Sequence, residues 1–153
     1  MMESLRIERK DIYTIEVNDA GETIEFDLVD VELPFKCDRA FREVSRIDKD
    51  LKAKLVIISK QEDHPIKGSI MTANEEAVVK AYNDAFREMR IAMDAFLGDG
   101  ACQKIFGDRN YLDMYIDLEE ALEPHLKKMQ LNTEGISKRI REKYGKKDDG
   151  VLK

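Results

Sequence analysis

A chain of 153 residues is long enough for one domain with a hydrophobic core and short for two. Its apolar fraction of 42% and charged fraction of 38% suit amphipathic helices that bury one face and solvate the other, which argues against disorder throughout. Two cysteines with no CxxC pair exclude a disulfide framework and predict a reducing cytoplasmic setting, and no stretch approaches the roughly 20 apolar residues that span a bilayer.

The net charge of −6 is unevenly spread. Eight acidic residues and no basic one lie between Asp11 and Glu32, and five acidic residues without a Lys or Arg lie between Asn110 and Glu123. Lys127 to Lys147 holds eight basic residues against Glu134 and Glu142. A basic segment docking on an acidic face of a neighbouring copy explains this two-ended map and predicts a homo-oligomer.

Residues 1–10 alternate charged and apolar side chains and lack the continuous apolar run of an export signal. Tyr13 to Val17 and Ile24 to Leu28 both alternate apolar and polar residues, and Asn18-Asp19-Ala20-Gly21 between them has turn chemistry. The pattern predicts a β-hairpin whose apolar face (Tyr13, Ile15, Val17, Ile24, Phe26, Leu28) is covered by helices, because a lone hairpin is marginal in water.

Pro34 suits the first turn of a helix, and Cys37, Ala40, Phe41, Val44, Ile47, Leu51, Leu55 and Ile58 then recur at helical spacing to about Ser59. Gln61 to Ser69 reads as a loop around His64-Pro65 and Gly68. Thr72 to Glu75 has capping-box spacing and opens a second long helix, whose stripe runs from Ala77 to Phe96 before Gly98 ends it. A short helical piece, Ala101 to Phe106, follows, with Ile105 and Phe106 expected to plug the core and Gly98 and Gly107 expected in left-handed caps. Asp108 is the expected N-cap of a third long helix that buries Tyr111, Leu112, Tyr115, Leu118 and Leu122, and Pro124 should kink or restart it. Asn132 or Thr133 then caps a basic helix through about Tyr144. The whole predicts an α+β, mostly helical fold: an N-terminal hairpin packed on about three long helices plus short ones. The domain covers 1–131, and a basic C-terminal helix with a frayed tail covers 132–153.

Chemistry-bearing motifs are absent from the reading. Gly98-Asp-Gly100-Ala-Cys102-Gln-Lys104-Ile-Phe106-Gly107 departs from both the P-loop and the dinucleotide turn and is read as a connector between helices. Cys37 and Cys102 are read as buried structural thiols, and His64 and His125 complete neither a nucleophile pair nor a ligand spacing. No catalytic residue, cofactor or metal site is predicted, so the chain is read as a non-enzymatic binding module. The basic stretch Lys138 to Lys147 offers an alternative as a nucleic-acid-associated regulator, which the acidic remainder of the chain disfavours.

The string Phe96-Leu-Gly98-Asp-Gly100-Ala-Cys-Gln-Lys104-Ile-Phe106-Gly107, followed by Tyr111-Leu-Asp-Met-Tyr115-Ile-Asp-Leu118, resembles the small tail assembly chaperones of long-tailed phages and prophages of Gram-positive bacteria. The resemblance extends more loosely over roughly Tyr13 to Leu122. It implies a non-enzymatic protein of the bacterial cytoplasm, missing from the mature virion, that holds the tape measure protein soluble and helps recruit tail tube subunits. Some members of that family are also made in a longer, frameshifted form. Such a partner exposes apolar helical stripes, for which Met71, Met89, Met93, Met114 and Met129 would make an adaptable surface, although ordinary core filling is the commoner role of methionines so placed. The residues expected to contact partners are Phe86, Met89, Met93, Phe96, Tyr111 and Tyr115, with Lys138, Arg139 and Arg141 as an electrostatic contact.

Overall fold

A computed structural model describes residues 1–132 together with Glu134, Gly135, Lys138, Arg141 and Glu142. Asn132, one of the two expected caps of the basic helix, accepts from the Gly135 N–H at 2.7 Å through its side chain, while Thr133 and Tyr144 lie outside the described residues. The described elements are β1 (Ile12–Glu16), β2 (Thr23–Asp27), α1 (Leu33–Ser59), α2 (Ala73–Leu97), α3 (Ala101–Phe106) and α4 (Met114–Lys128). The architecture is the expected α+β one, mostly helical with an N-terminal hairpin.

β1 and β2 pair antiparallel, with Tyr13 opposite Phe26 and Ile15 opposite Ile24. Asn18 organises the turn, its side-chain oxygen accepting from the N–H groups of Ala20 and Glu22 at 3.1 Å, while Gly21 takes φ +82°. Each strand ends one residue earlier than the alternation suggested. The apolar face is buried unevenly: Ile24 and Phe26 are core, whereas Tyr13, Ile15 and Val17 are half-buried. Phe26 packs on Phe96 of α2 with ring centroids 5.3 Å apart.

α1 begins with Pro34 in its first turn and is anchored by Asp30, whose carboxylate accepts from the Glu32 N–H at 2.9 Å and from Lys36 Nζ at 3.1 Å. At its other end Asn74 donates to the carbonyls of Ile58 and Gln61, which ties the end of α1 to the start of α2. α2 opens with the expected capping box: Thr72 accepts from the Glu75 N–H, and Glu75 accepts from the Thr72 N–H at 2.8 Å. Such caps contribute about 1 kcal/mol.

α1 and α2 run antiparallel and form the closest helix pair. Their contact splits the core into two clusters. One joins the hairpin to the start of α1, the end of α2 and Ala101, Cys102, Leu118 and Leu122; the other joins Ile47, Leu51 and Ile58 to Ala81, Ala85, Phe86, Met89 and Met114. Val44, Phe106 and Tyr115 border both.

Three local expectations are corrected. Gly98 (φ 113°, ψ 155°) and Gly107 (φ 67°, ψ −148°) do have positive φ but not the left-handed helical conformation, which Gly100 adopts instead (φ 76°, ψ 5°). Within α3 Ala101 and Cys102 are fully buried, and Ile105 and Phe106, half-buried, pack against the core as expected. α4 starts at Met114, after Asp113 (φ 68°), rather than at Asp108. The cause is tertiary: Gln103 Nε2 donates to the Asp108 carboxylate at 2.8 Å, and Arg90 holds the Asn110 side chain at 2.8 Å and the Arg109 carbonyl at 2.9 Å. Tyr111 and Leu112 therefore precede the helix, and Leu112 is exposed. Pro124 does not restart α4, which continues to Lys128. Leu122 and Leu126 pack on either side of that position, and Met129 and Leu131 bury the chain just beyond it.

Candidate functional site: an acid-rimmed groove between two helices

α4 stands off from α1 and α2, whose mutual packing is much closer, so a furrow remains between α1 and α4 with α2 as its floor. It comprises two depressions of about 310 and 350 Å³ that share Asp48, Tyr115 and Ile116. The first has Phe41, Val44, Met93 and Leu118 among its walls, and the second has Leu51, Leu55, Tyr82, Phe86, Met89 and Leu112. From Phe41 to Leu55 the α1 wall runs about 20 Å at the helical rise of ~1.5 Å per residue, the length of about four helical turns.

The expected contact residues are distributed unevenly around this furrow. Phe86, Met89 and Met93 are core residues, Met93 being only 1% exposed, yet each lends atoms to the groove floor. Phe96 lies away from it, between Phe26 and Phe41. Tyr111 is occupied elsewhere: its hydroxyl donates to Asp117 at 2.9 Å, and its ring packs edge-on against Phe106 and under Arg109. Tyr115 alone among the six lines both depressions. Met89, Met93, Met114 and Met129 fill the core, the more ordinary of the two roles expected of them. Lys138 and Arg141 are exposed, and Arg139 lies outside the described residues.

Sequence reasoning missed Asp48, Leu112, Ile116 and Glu119 as groove residues. Leu112 and Ile116 are 62% and 54% exposed, so the wall of α4 presents apolar surface to solvent. Ile116 carried a usable signal, an isoleucine set beside Asp113, Asp117 and Glu120 and off the stripe of Leu118 and Leu122. The rim is acidic through Asp48, Asp113 and Glu119, with Lys52 paired to Asp48 at 2.8 Å. The Tyr115 hydroxyl is shut off from solvent beside the Cys102 thiol. Burial first, and the neighbouring Cys102 thiol second, push its pKa up.

Cys102 sits beneath this wall. Its N–H is capped by Asp94 at 2.9 Å, and its thiol faces the Arg90 carbonyl at 3.8 Å. Burial, reinforced by Asp94, pushes the Cys102 thiol up to about 12, and burial with Asp38 does the same for Cys37. Both thiols therefore stay protonated through the neutral range, and the thiolate is the reactive form. Titration of the native protein with a thiol reagent at pH 8 should show neither cysteine reacting on the timescale on which the denatured chain reacts fully. Prompt labelling of one thiol in the native state would contradict the burial described here. His125 shares a hydrogen bond of 2.8 Å with the Tyr13 hydroxyl, and His64 is exposed in the loop before α2. Among the described residues no three His, Cys, Asp or Glu side chains are grouped to hold a metal ion, and no helix is long and apolar enough to cross a membrane.

Fold and furrow together define a class: a helical protein with a hairpin at one end and an acid-rimmed apolar groove along its side. No protein-family model, no curated protein and no solved structure matches the chain.

Proposed function

We propose that the groove between α1 and α4 receives an apolar helical stripe of another protein, and that the chain is a phage tail assembly chaperone. In this reading it holds the tape measure protein soluble in the host cytoplasm, helps recruit tail tube subunits, and does not enter the virion. The observation that carries the reading is the exposed apolar wall of Leu112 and Ile116, with Tyr115 beside them, facing Leu51 and Leu55 across a floor of Phe86 and Met89. A furrow of that length and lining suits an amphipathic helix with apolar residues at three and four residue steps. The acidic rim favours a stripe flanked by Lys or Arg. The family resemblance of the segment from Phe96 to Leu118 supplies the identity of the helical partner.

Co-expression with the cognate tape measure protein tests the reading. The expected result is a soluble complex that co-purifies, from a partner that is insoluble when made alone. An insoluble tape measure protein together with no recovered complex would overturn it.

A further inference from the structure

The leading segment contributes nothing to the core: residues 1–10 have no regular secondary structure, and Leu5 and Ile7 are 91% and 87% exposed. Ser4-Leu5-Arg6-Ile7-Glu8 nevertheless has strand periodicity, with its two apolar residues on one side and Arg6 on the other.

β1 offers a matching vacancy. The ladder bonds of Asp11 and Val17 to Leu28 and Glu22 fix the phase of the hairpin, so the backbone groups of Ile12, Thr14 and Glu16 point outward from β1. Among the described residues those groups have no hydrogen-bond partner beyond the hairpin, whereas the β2 edge is touched by Lys104, whose Nζ donates to the Thr23 carbonyl at 3.0 Å. The flank is also unfinished in its packing, since Tyr13 and Ile15 of β1 remain half-buried beside the fully covered Ile24 and Phe26.

Charge points the same way. Residues 1–10 carry Arg6, Arg9 and Lys10 against Glu3 and Glu8, the hairpin region from Asp11 to Glu32 has acidic residues and no basic one, and Arg9 already reaches Glu25 of its own chain at 3.2 Å.

We infer that residues 4–8 of one copy add as a third strand to the free edge of β1 in a second copy, joining the chains by strand exchange. The added strand places Leu5 and Ile7 over Tyr13 and Ile15, and Arg6 on the outer face with Thr14 and Glu16. Its backbone satisfies the outward groups of β1, which is the usual route by which an open edge finds a partner. This surface lies on the hairpin and involves none of the groove residues, so it stands or falls independently of the proposed chaperone role.

Sedimentation of the purified chain across a concentration series tests the inference. The expected result is reversible self-association that Leu5→Lys with Ile7→Lys weakens roughly 30-fold or more, through lost apolar burial, while thermal unfolding of the monomer is unchanged. A second measurement mixes an isotopically labelled Arg6→Cys chain with an unlabelled Thr14→Cys chain and bridges them with a short bis-maleimide, which should yield mixed dimers. A wild-type chain that stays monomeric, or a double lysine variant that associates as the wild type does, would overturn the inference. So would a chain carrying both cysteines that links only within itself.

Discussion

Replacing Phe26 by alanine lowers the stability of the protein by about 3–5 kcal/mol, the usual cost of truncating a fully enclosed phenylalanine. Phe26 is 2% exposed and is the largest side chain by which the hairpin enters the core. Its ring lies 5.3 Å from that of Phe96, which in turn lies 6.3 Å from Phe41 of α1, so one side chain of β2 ties the sheet to both long helices. The cavity left by its removal cannot close by moving a neighbour, because Ile24, Met93 and Leu97 belong to the same buried cluster. Against a typical total of ~5–15 kcal/mol for a domain, the loss is severe. A urea denaturation curve measures it through the shift in midpoint at constant slope. A change below about 1 kcal/mol would mean that the hairpin does not unfold with the helices as one cooperative unit.

If the groove is the proposed tape measure site, changing both Leu112 and Ile116 to aspartate weakens binding of that partner by about 30-fold to 1000-fold, equivalent to ~2–4 kcal/mol, while leaving the fold intact. Both side chains are mostly solvent-exposed, so little packing within the chain is lost. Residue 116 lies in the first turn of α4, where a negative charge interacts favourably with the helix dipole. Two new carboxylates beside Asp48, Asp113 and Glu119 would make the groove hostile to an apolar stripe, because a partner would have to bury unpaired charge. Ile91→Asp is the matched control. Ile91 is 69% exposed on α2 and lines neither depression, so its substitution should leave binding unchanged. Equal recovery of the partner by the double variant and the control would remove the groove from the proposed function.

Tail assembly as the biological setting rests on a resemblance in the connector and the helix that follows it; what the groove itself favours is a helical apolar ligand with basic flanks. Those two statements fail separately. A chain that bound amphipathic basic helices but not the tape measure protein would keep the groove and lose the setting.

Much of the fold could be read directly from residue order because its determinants are local. Alternation from Tyr13 to Val17 and from Ile24 to Leu28, with Asn18 and Gly21 between them, is a complete hairpin instruction. Pro34 and the spacing from Cys37 to Ile58 set α1 within a residue of its observed bounds, and the Thr72–Glu75 box starts α2 where it was expected.

The start of α4 was different. Asp108 has the chemistry of an N-cap, but its carboxylate is held by Gln103 while Arg90 holds the next two residues, and neither partner can be inferred from helical periodicity. That displacement of a few residues moves Leu112 from an expected buried position to a groove wall. The same limit applies to the contact residues. Periodicity finds the apolar stripe of α2 but does not distinguish a side chain covered by one neighbour from one left between two. Phe96 lies under the hairpin and Met93 beneath the furrow because α4 stands off from α1, and spacing between helices is set by the side chains that meet there.

The residues by themselves thus determined the hairpin, the two long helices and the apolar face of each, since propensity, capping and periodicity act over a few positions along the chain. Only the tertiary structure decided which apolar residues are core, which line the groove, and that the outer edge of β1 is open among the described residues, because those are properties of how faces far apart in sequence meet.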